Sequence, residues 1–191
     1  MKKVLVVYSG SFNPFHYGHL DILQTLQNTV WIDKVLVVVS PKNPSKPESM
    51  YIQSAAERLG VVKKIIEDYG LTKCEASDIE FSRSYPIYTV ETLRQIQAQW
   101  PDYDIRYVAG ADCLEKIQRW RNAPELICDI GMIVFPRDGY DLGEIVNQVL
   151  SRWENAKILV STTTPREISS TEIRRRLKNK EDYFDLTPIR I

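Results

Sequence analysis

Five short apolar runs, each separated from the next by a longer stretch with helical spacing, constrain this chain more than any other feature. Val4 to Tyr8, Lys34 to Ser40, Ile105 to Val108, Ile130 to Phe135 and Lys157 to Val160 are largely uninterrupted by polar residues. A strand with one wet face alternates apolar and polar side chains, whereas a strand covered on both faces reads as a continuous run, as in a parallel sheet. Between the runs lie helical candidates over Gly18 to Asn28, Tyr51 to Tyr69, Tyr88 to Trp100, Asp112 to Gln118 and Leu142 to Trp153. In the second, Ile52, Ala55, Ala56, Leu59, Val62, Ile66 and Tyr69 recur near helical spacing and predict one buried face. A further short strand is expected over Lys73 to Ala76. Strand–helix alternation of this kind predicts a doubly wound α/β fold with a mainly parallel sheet and helices on both faces. At 191 residues, one domain spanning 1–191 is the simplest organisation.

Charge narrows the partners. Lys plus Arg and Asp plus Glu number 25 each, which argues against a general affinity for nucleic acid or an anionic membrane. A bound anion must therefore be met by a local cluster of donors. No window approaches the roughly 20 apolar residues of a membrane span, and Val4 to Val7 is too short for a signal-peptide core. The three cysteines, Cys74, Cys113 and Cys128, are far apart and form no C-x-x-C pair. A reduced, cytoplasmic setting is expected, not a disulfide scaffold.

The first run leads into Ser9-Gly10-Ser11-Phe12-Asn13-Pro14-Phe15-His16-Tyr17-Gly18-His19-Leu20, which holds both histidines of the chain. Gly10 permits a close turn at the strand end, and Gly18 with His19 opens the next helix. A helix N-terminus offers unpaired N–H groups and partial positive charge, which suit a phosphate. Two imidazoles at the same point add donors without a fixed charge. Histidines three apart can also share a metal, but no third ligand stands nearby, so no metal site built from the protein is expected.

A second string, Ile168-Ser169-Ser170-Thr171-Glu172-Ile173-Arg174-Arg175-Arg176-Leu177, has Ser169 and Glu172 at capping-box spacing. Ser170 and Arg174 are four apart and share a face, and helical side chains lean toward the N-terminus. Arg174 is thereby aimed back at the hydroxyls. The string reads either as a capped, solvated basic helix or as a second phosphate cradle, and pairing with the first motif favours the cradle.

These residues carry a resemblance. Gly10 to His19 resembles the G-[TS]-F-[DN]-P-x-H-x-G-H signature of the HxGH nucleotidyltransferases, and within them the nicotinate/nicotinamide mononucleotide adenylyltransferases. Ile168 to Arg174 resembles that family's I-S-[ST]-T-x-I-R element. The resemblance covers most of the chain and implies a Rossmann-like sheet and AMP transfer from ATP to a pyridine mononucleotide, with His16, His19 and Arg174 as catalytic donors. It implies ATP contacts from Ser9, Gly10, Ser11, Phe12, Gly18, Gly110, Asp112, Ser170 and Thr171. Tyr88-Thr89-Val90-Glu91-Thr92-Leu93 resembles the family's Y-T-[VI]-x-T-L helix start, which implies that Tyr88 and Thr89 meet the pyridine substituent; Thr89 reads equally as an N-cap. Gly110-Ala111-Asp112 resembles the family's G-[AS]-D turn, although Asp112 and Glu115 also have capping-box spacing.

Trp120, between Arg119 and Arg121, aligns with a family tryptophan that implies stacking on the pyridine; by itself it reads as a surface anchor. Arg137, in Val134 to Tyr140, is either a phosphate or adenine-side contact or part of an ordinary Gly-containing turn. Pro41 to Pro47 is a loop by its prolines and sits where the family's acceptor loop sits, with Asn43 and Lys46 as mononucleotide contacts. Magnesium is expected to arrive on ATP phosphates. Ser9 stands where many bacterial members show a glycine. The tail, Tyr183 to Ile191, resembles the family's Y-L-x-P-x-x-V ending but stops early, which bears on a final helix and on subunit contacts in a homo-oligomer. Resemblance to the bacterial members favours nicotinate over nicotinamide mononucleotide. The alternatives are another phosphate acceptor or a non-catalytic nucleotide-binding domain.

Overall fold

A computed structural model describes residues 2–42 and 50–191. In chain order the elements are β1 (Lys3–Gly10), α1 (Tyr17–Asn28), β2 (Lys34–Val39), α2 (Ala55–Asp68), β3 (Cys74–Ser77), α3 (Thr89–Gln99), β4 (Tyr103–Gly110), α4 (Ala111–Glu115), β5 (Met132–Phe135), α5 (Leu142–Arg152), β6 (Ile158–Val160) and α6 (Ser170–Asn179). The sheet has six strands in the order β3-β2-β1-β4-β5-β6, and every neighbouring pair is parallel. The expected Rossmann-like, doubly wound sheet is thus present, with the short strand after Lys73 at one edge.

On β1, β2 and β5 the apolar runs are continuous because both faces of the sheet are covered, whereas the run of Lys157 to Val160 forms the edge strand β6, where Leu159 and Val160 are exposed. On β1, Leu5 and Val7 point into one core with Val90, Leu93 and Ile96 of α3 and Ile145 and Val149 of α5. Val6 and Tyr8 point into the other, with Leu20, Leu23 and Leu26 of α1 and Val62 and Ile65 of α2.

Three local expectations are corrected. The second helix begins at Ala55 instead of Tyr51, because Ser54 caps it: Ser54 Oγ accepts from the Glu57 N–H and Glu57 Oε2 accepts from the Ser54 N–H. Its buried face runs through Arg58, Val62 and Ile65, rotated from the face expected, and Arg58 is on it. Ile130 ends a π-helical stretch, Glu125–Ile130, instead of opening the fifth strand.

The sheet grows in one direction from β1 to β3 and in the other from β4 to β6, so the winding reverses between β1 and β4. In open parallel sheets such a reversal leaves a crevice beyond the carboxyl ends of the two central strands. Ser9-Gly10 and Gly110 end those strands here, which places both glycine turns of the sequence motifs side by side.

Candidate active site

Two adjoining cavities open at that crevice. The first, about 310 Å³, is bounded by Ser9 to Asn13, His16, Gly18, His19, Gly110, Asp112, Arg137, Arg166, Glu167 and Ser170, among others. The second, about 440 Å³, is bounded by Ser40, Lys42, Glu80, Ile87 to Thr89 and Arg119 to Arg121, among others. Ser9, Gly10, Ser11, Tyr107 and Cys113 line both, so the end of β1 is a common wall. Burial keeps the Tyr8 and Tyr107 hydroxyls and the Cys113 thiol protonated by raising their pKa, the thiol to about 11. The wall therefore adds no negative charge.

The turn from β1 to α1 is built to present donors. Its carbonyls are held by donors from other segments: Gly10 O by the Ser40 N–H at 2.9 Å, Asn13 O by Arg174 Nη1 at 2.6 Å, Pro14 O by Ser170 Oγ at 2.9 Å and Phe15 O by Thr187 Oγ1 at 2.7 Å. Ser11 O is held by Arg58 Nη1. In a trans peptide C=O and N–H are antiparallel, so holding the Gly10 and Ser11 carbonyls turns the N–H groups of Ser11 and Phe12 the opposite way. Gly10 is required by close approach: a Cβ there would meet the Phe12 ring at 3.0 Å. At Gly18 a Cβ would lie 2.7 Å from the Arg166 carbonyl oxygen and 3.2 Å from His16 Nδ1.

The two imidazoles stack, with centroids 3.6 Å apart. His16 is the N-cap of α1, and its N–H donates to His19 Nδ1 at 3.2 Å. An Nδ1 that accepts leaves the neutral ring's proton on Nε2, so His19 carries a donor there. His16 Nδ1 is buried and meets no hydrogen-bond partner among the described residues. A buried polar atom without a partner on a cavity wall fits a ligand group that supplies one.

Burial, reinforced by Arg137, holds His16 far below its ordinary value, at about 3. Since the unfolded pKa is 6.5, the unfolded chain takes up a proton in that interval and the folded chain does not. This stabilisation is complete above pH 6.5 and is lost on acidification, by about 1.4 kcal/mol per pH unit, until the folded pKa is approached. Thermal unfolding of the parent and of His16→Asn between about pH 6.5 and 4.5 checks it. The variant is expected to show the shallower acid slope, and identical slopes would remove His16 as the cause.

The structure gathers most of the residues expected at the site. Ser9, Gly10, Ser11, Phe12, Gly18, Gly110, Asp112 and Ser170 line the first cavity with both histidines. Arg174 and Thr171 stand behind the turn: Arg174 bonds Asn13 O and Thr171 Oγ1 and does not line the cavity. Tyr88, Thr89 and Trp120 line the second cavity. The alternative readings of two residues fall away. Tyr88, not Thr89, holds the N-cap of α3, and Gly110, not Asp112, holds that of α4. Asp112 instead pairs with Arg137 at 3.4 Å across the first cavity. Asn43 and Lys46 lie outside the described residues.

Two buried ionic residues at the site had not been anticipated. Arg58, fully buried, donates to Ser11 O, Ser40 O and Pro41 O and so joins the β1 and β2 turns. Glu80, also buried, accepts from Ser40 Oγ at 2.8 Å and Thr92 Oγ1 at 2.7 Å on the wall of the second cavity. The signal for Arg58 was its place one turn before Val62 on an otherwise apolar helical face.

Among the described residues no group of three His, Cys, Asp or Glu side chains is placed to hold a metal ion. Of the carboxylates on the first cavity, Asp112 pairs with Arg137 and Glu167 accepts from the Asp138 N–H. No described helix is long and apolar enough to cross a membrane.

A family model described as cytidylyltransferase-like matches residues 7–176, a span that holds the strand-end crevice and the residues on both cavities, and so places the chain in that class. A protein of Flavobacterium psychrophilum named "Probable nicotinate-nucleotide adenylyltransferase" is 35% identical over 185 residues, covering 97% of this chain and 92% of that one. One of the same name from Clostridium tetani is 34% identical over 190 residues, covering 98% and 93%. The chain belongs to the nicotinate-nucleotide adenylyltransferase family. Its fold matches that of the nicotinic acid mononucleotide adenylyltransferase of Plasmodium falciparum in a structure complexed with NaAD, with a TM-score of 0.82 at 23% identity, covering 97% of this chain and 91% of that one.

Proposed function

We propose that this enzyme transfers AMP from ATP to nicotinate mononucleotide, giving the dinucleotide and pyrophosphate. The observation that carries this reading is the shared wall: two cavities meet along Ser9 to Ser11, so a nucleotide in each would face the other across one set of donors. ATP belongs to the cavity with the histidines and the N-terminus of α1. The mononucleotide belongs to the one with Tyr88, Thr89 and Trp120, where the N–H groups opening α3 and the flanking Arg119 and Arg121 suit a carboxylate. The relatives' names point to the same acceptor.

The reaction needs little proton chemistry. A phosphate monoester has its second pKa near ~6 and is largely dianionic at neutral pH. Its oxygen attacks the α-phosphorus in line, a new P–O bond forms, and the bond to the β-phosphate oxygen breaks to release pyrophosphate. The protein supplies alignment and donors to the spreading negative charge. His16, His19 and the Ser11 and Phe12 N–H groups meet that charge directly, and Ser170, Thr171 and Arg174 support it from α6. Magnesium, carried on ATP oxygens, would neutralise phosphate charge in the cavity that Asp112 and Glu167 line. The free thiols Cys74, Cys113 and Cys128 suit a cytoplasmic setting.

Pyrophosphate release from ATP and magnesium, with nicotinate and nicotinamide mononucleotides run in parallel, tests the reading. Faster release with nicotinate mononucleotide is expected. Preference for the amide would overturn the acceptor assignment, and silence with both would overturn the reaction.

A further inference from the structure

The tail after α6 returns to the catalytic turn. Thr187 is buried, its hydroxyl donates to Phe15 O at 2.7 Å, and Leu186 O accepts the Tyr17 N–H at 3.0 Å. The peptide joining Phe15 to His16 therefore has its carbonyl held by the tail, while its N–H donates to His19 Nδ1 at 3.2 Å. One rigid peptide unit links the Thr187 hydroxyl to the His19 ring.

We propose that Thr187 is a positioning residue for His19: through the Phe15–His16 peptide it fixes the imidazole as the Nε2–H tautomer, the form able to donate to nucleotide phosphates. The step rests on the adenylyl-transfer reading for its consequence, but not for its geometry. A peptide C=O and N–H move as one plane. A donor on the carbonyl also polarises the N–H and strengthens the bond it makes. Removing the hydroxyl frees the plane to tilt, and His19 Nδ1 loses the aligned N–H that keeps it an acceptor. Outer partners that fix a histidine's tautomer and orientation act in this way on the group that meets the ligand.

Only two histidines are present, so nitrogen-15 NMR of histidine-labelled protein resolves both rings, and His16→Asn assigns them. In the parent, His19 is expected as the Nε2–H tautomer at neutral pH. In Thr187→Val the signal is expected to move toward the Nδ1–H form, with kcat for pyrophosphate release lowered roughly ten-fold. KM for the mononucleotide should stay near the parent value, and Thr187→Ser should restore both tautomer and kcat. Val149→Ala, a core truncation away from both cavities, controls for lost stability; a merely structural Thr187 would behave like it, with a lower Tm and an unchanged tautomer. Should Thr187→Val fail to fold, Thr187→Cys keeps the bulk with a weak donor and is read the same way. An Nδ1–H His19 in the parent, or an unchanged tautomer in a folded donor-deficient variant, overturns the proposal. A parent with the expected tautomer but no activity toward either mononucleotide overturns the reaction and leaves the relay standing.

Discussion

His19→Ala is expected to lower kcat about 10²- to 10³-fold while the protein still folds, the loss typical when one pre-aligned donor to transition-state charge is removed. Position 19 is in the first turn of α1, where alanine is well tolerated. The ring's neighbours, His16, Phe12 and Phe15, remain packed on Tyr8 and the sheet. Since the donor is worth most when charge develops on the phosphates, kcat should fall much more than KM for ATP rises. His19→Asn, which retains an N–H donor, should recover part of the loss. Steady-state pyrophosphate release with circular dichroism as a fold check decides it. A folded His19→Ala enzyme with parental kcat would exclude His19 from the chemistry.

Arg58→Met should be the most damaging change away from the substrates. The guanidinium is fully buried, burial pushes its pKa down, and its partners among the described residues are backbone carbonyls of Ser11, Ser40, Pro41 and Gln53. Methionine fills much of the volume but leaves three well-bonded carbonyls unsatisfied, each costing about 1–3 kcal/mol where water cannot replace the donor. Partial relaxation makes roughly 3 kcal/mol a reasonable total, a Tm loss on the order of 6–12 °C for a chain of this size. Activity should fall too, because the Ser11 carbonyl and the Ser40–Pro41 turn lose their common anchor. Lysine keeps the charge but cannot span all three acceptors with a planar fork, so Arg58→Lys should lie between. An unchanged Tm in Arg58→Met would mean water replaces the guanidinium at no cost.

The parts that were legible in the amino-acid sequence are those whose cause is local. Continuous apolar runs revealed the parallel strands, and in the central ones each run records being covered twice; the run at the β6 edge is apolar although Leu159 and Val160 are exposed. The string from Gly10 to His19 was legible because turn, glycines and histidines are contiguous, and the Ser169 cap of α6 because its acceptor role is settled within four residues. Local spacing misled at Asp112 and Glu115, which have the spacing of a capping box, yet Gly110 at the end of β4 takes the N-cap position with no side-chain cap bond. The π-helical turn at Glu125–Ile130 has no simple periodic signature. Glu80 and Thr187 were invisible for another reason. Glu80 is chosen by hydroxyls from two other elements and Thr187 by a backbone carbonyl, which leaves no trace in residue type.

Three of the donors that hold the catalytic turn come from far along the chain. Ser170 reaches Pro14 across 156 residues, Arg174 reaches Asn13 across 161, and Thr187 reaches Phe15 across 172. Contacts of such separation form late, since the intervening chain must be ordered before they are gained. During synthesis β1 can pair with β2 early, and Ser40 and Arg58 can then hold the Gly10 and Ser11 carbonyls, but the Asn13, Pro14 and Phe15 carbonyls have no holder until α6 and the segment after it have been made and folded back. The nascent sheet would thus acquire its shape well before it acquires chemistry. Competence to turn over ATP would wait for α6 and the segment that follows it, whose donors complete the turn.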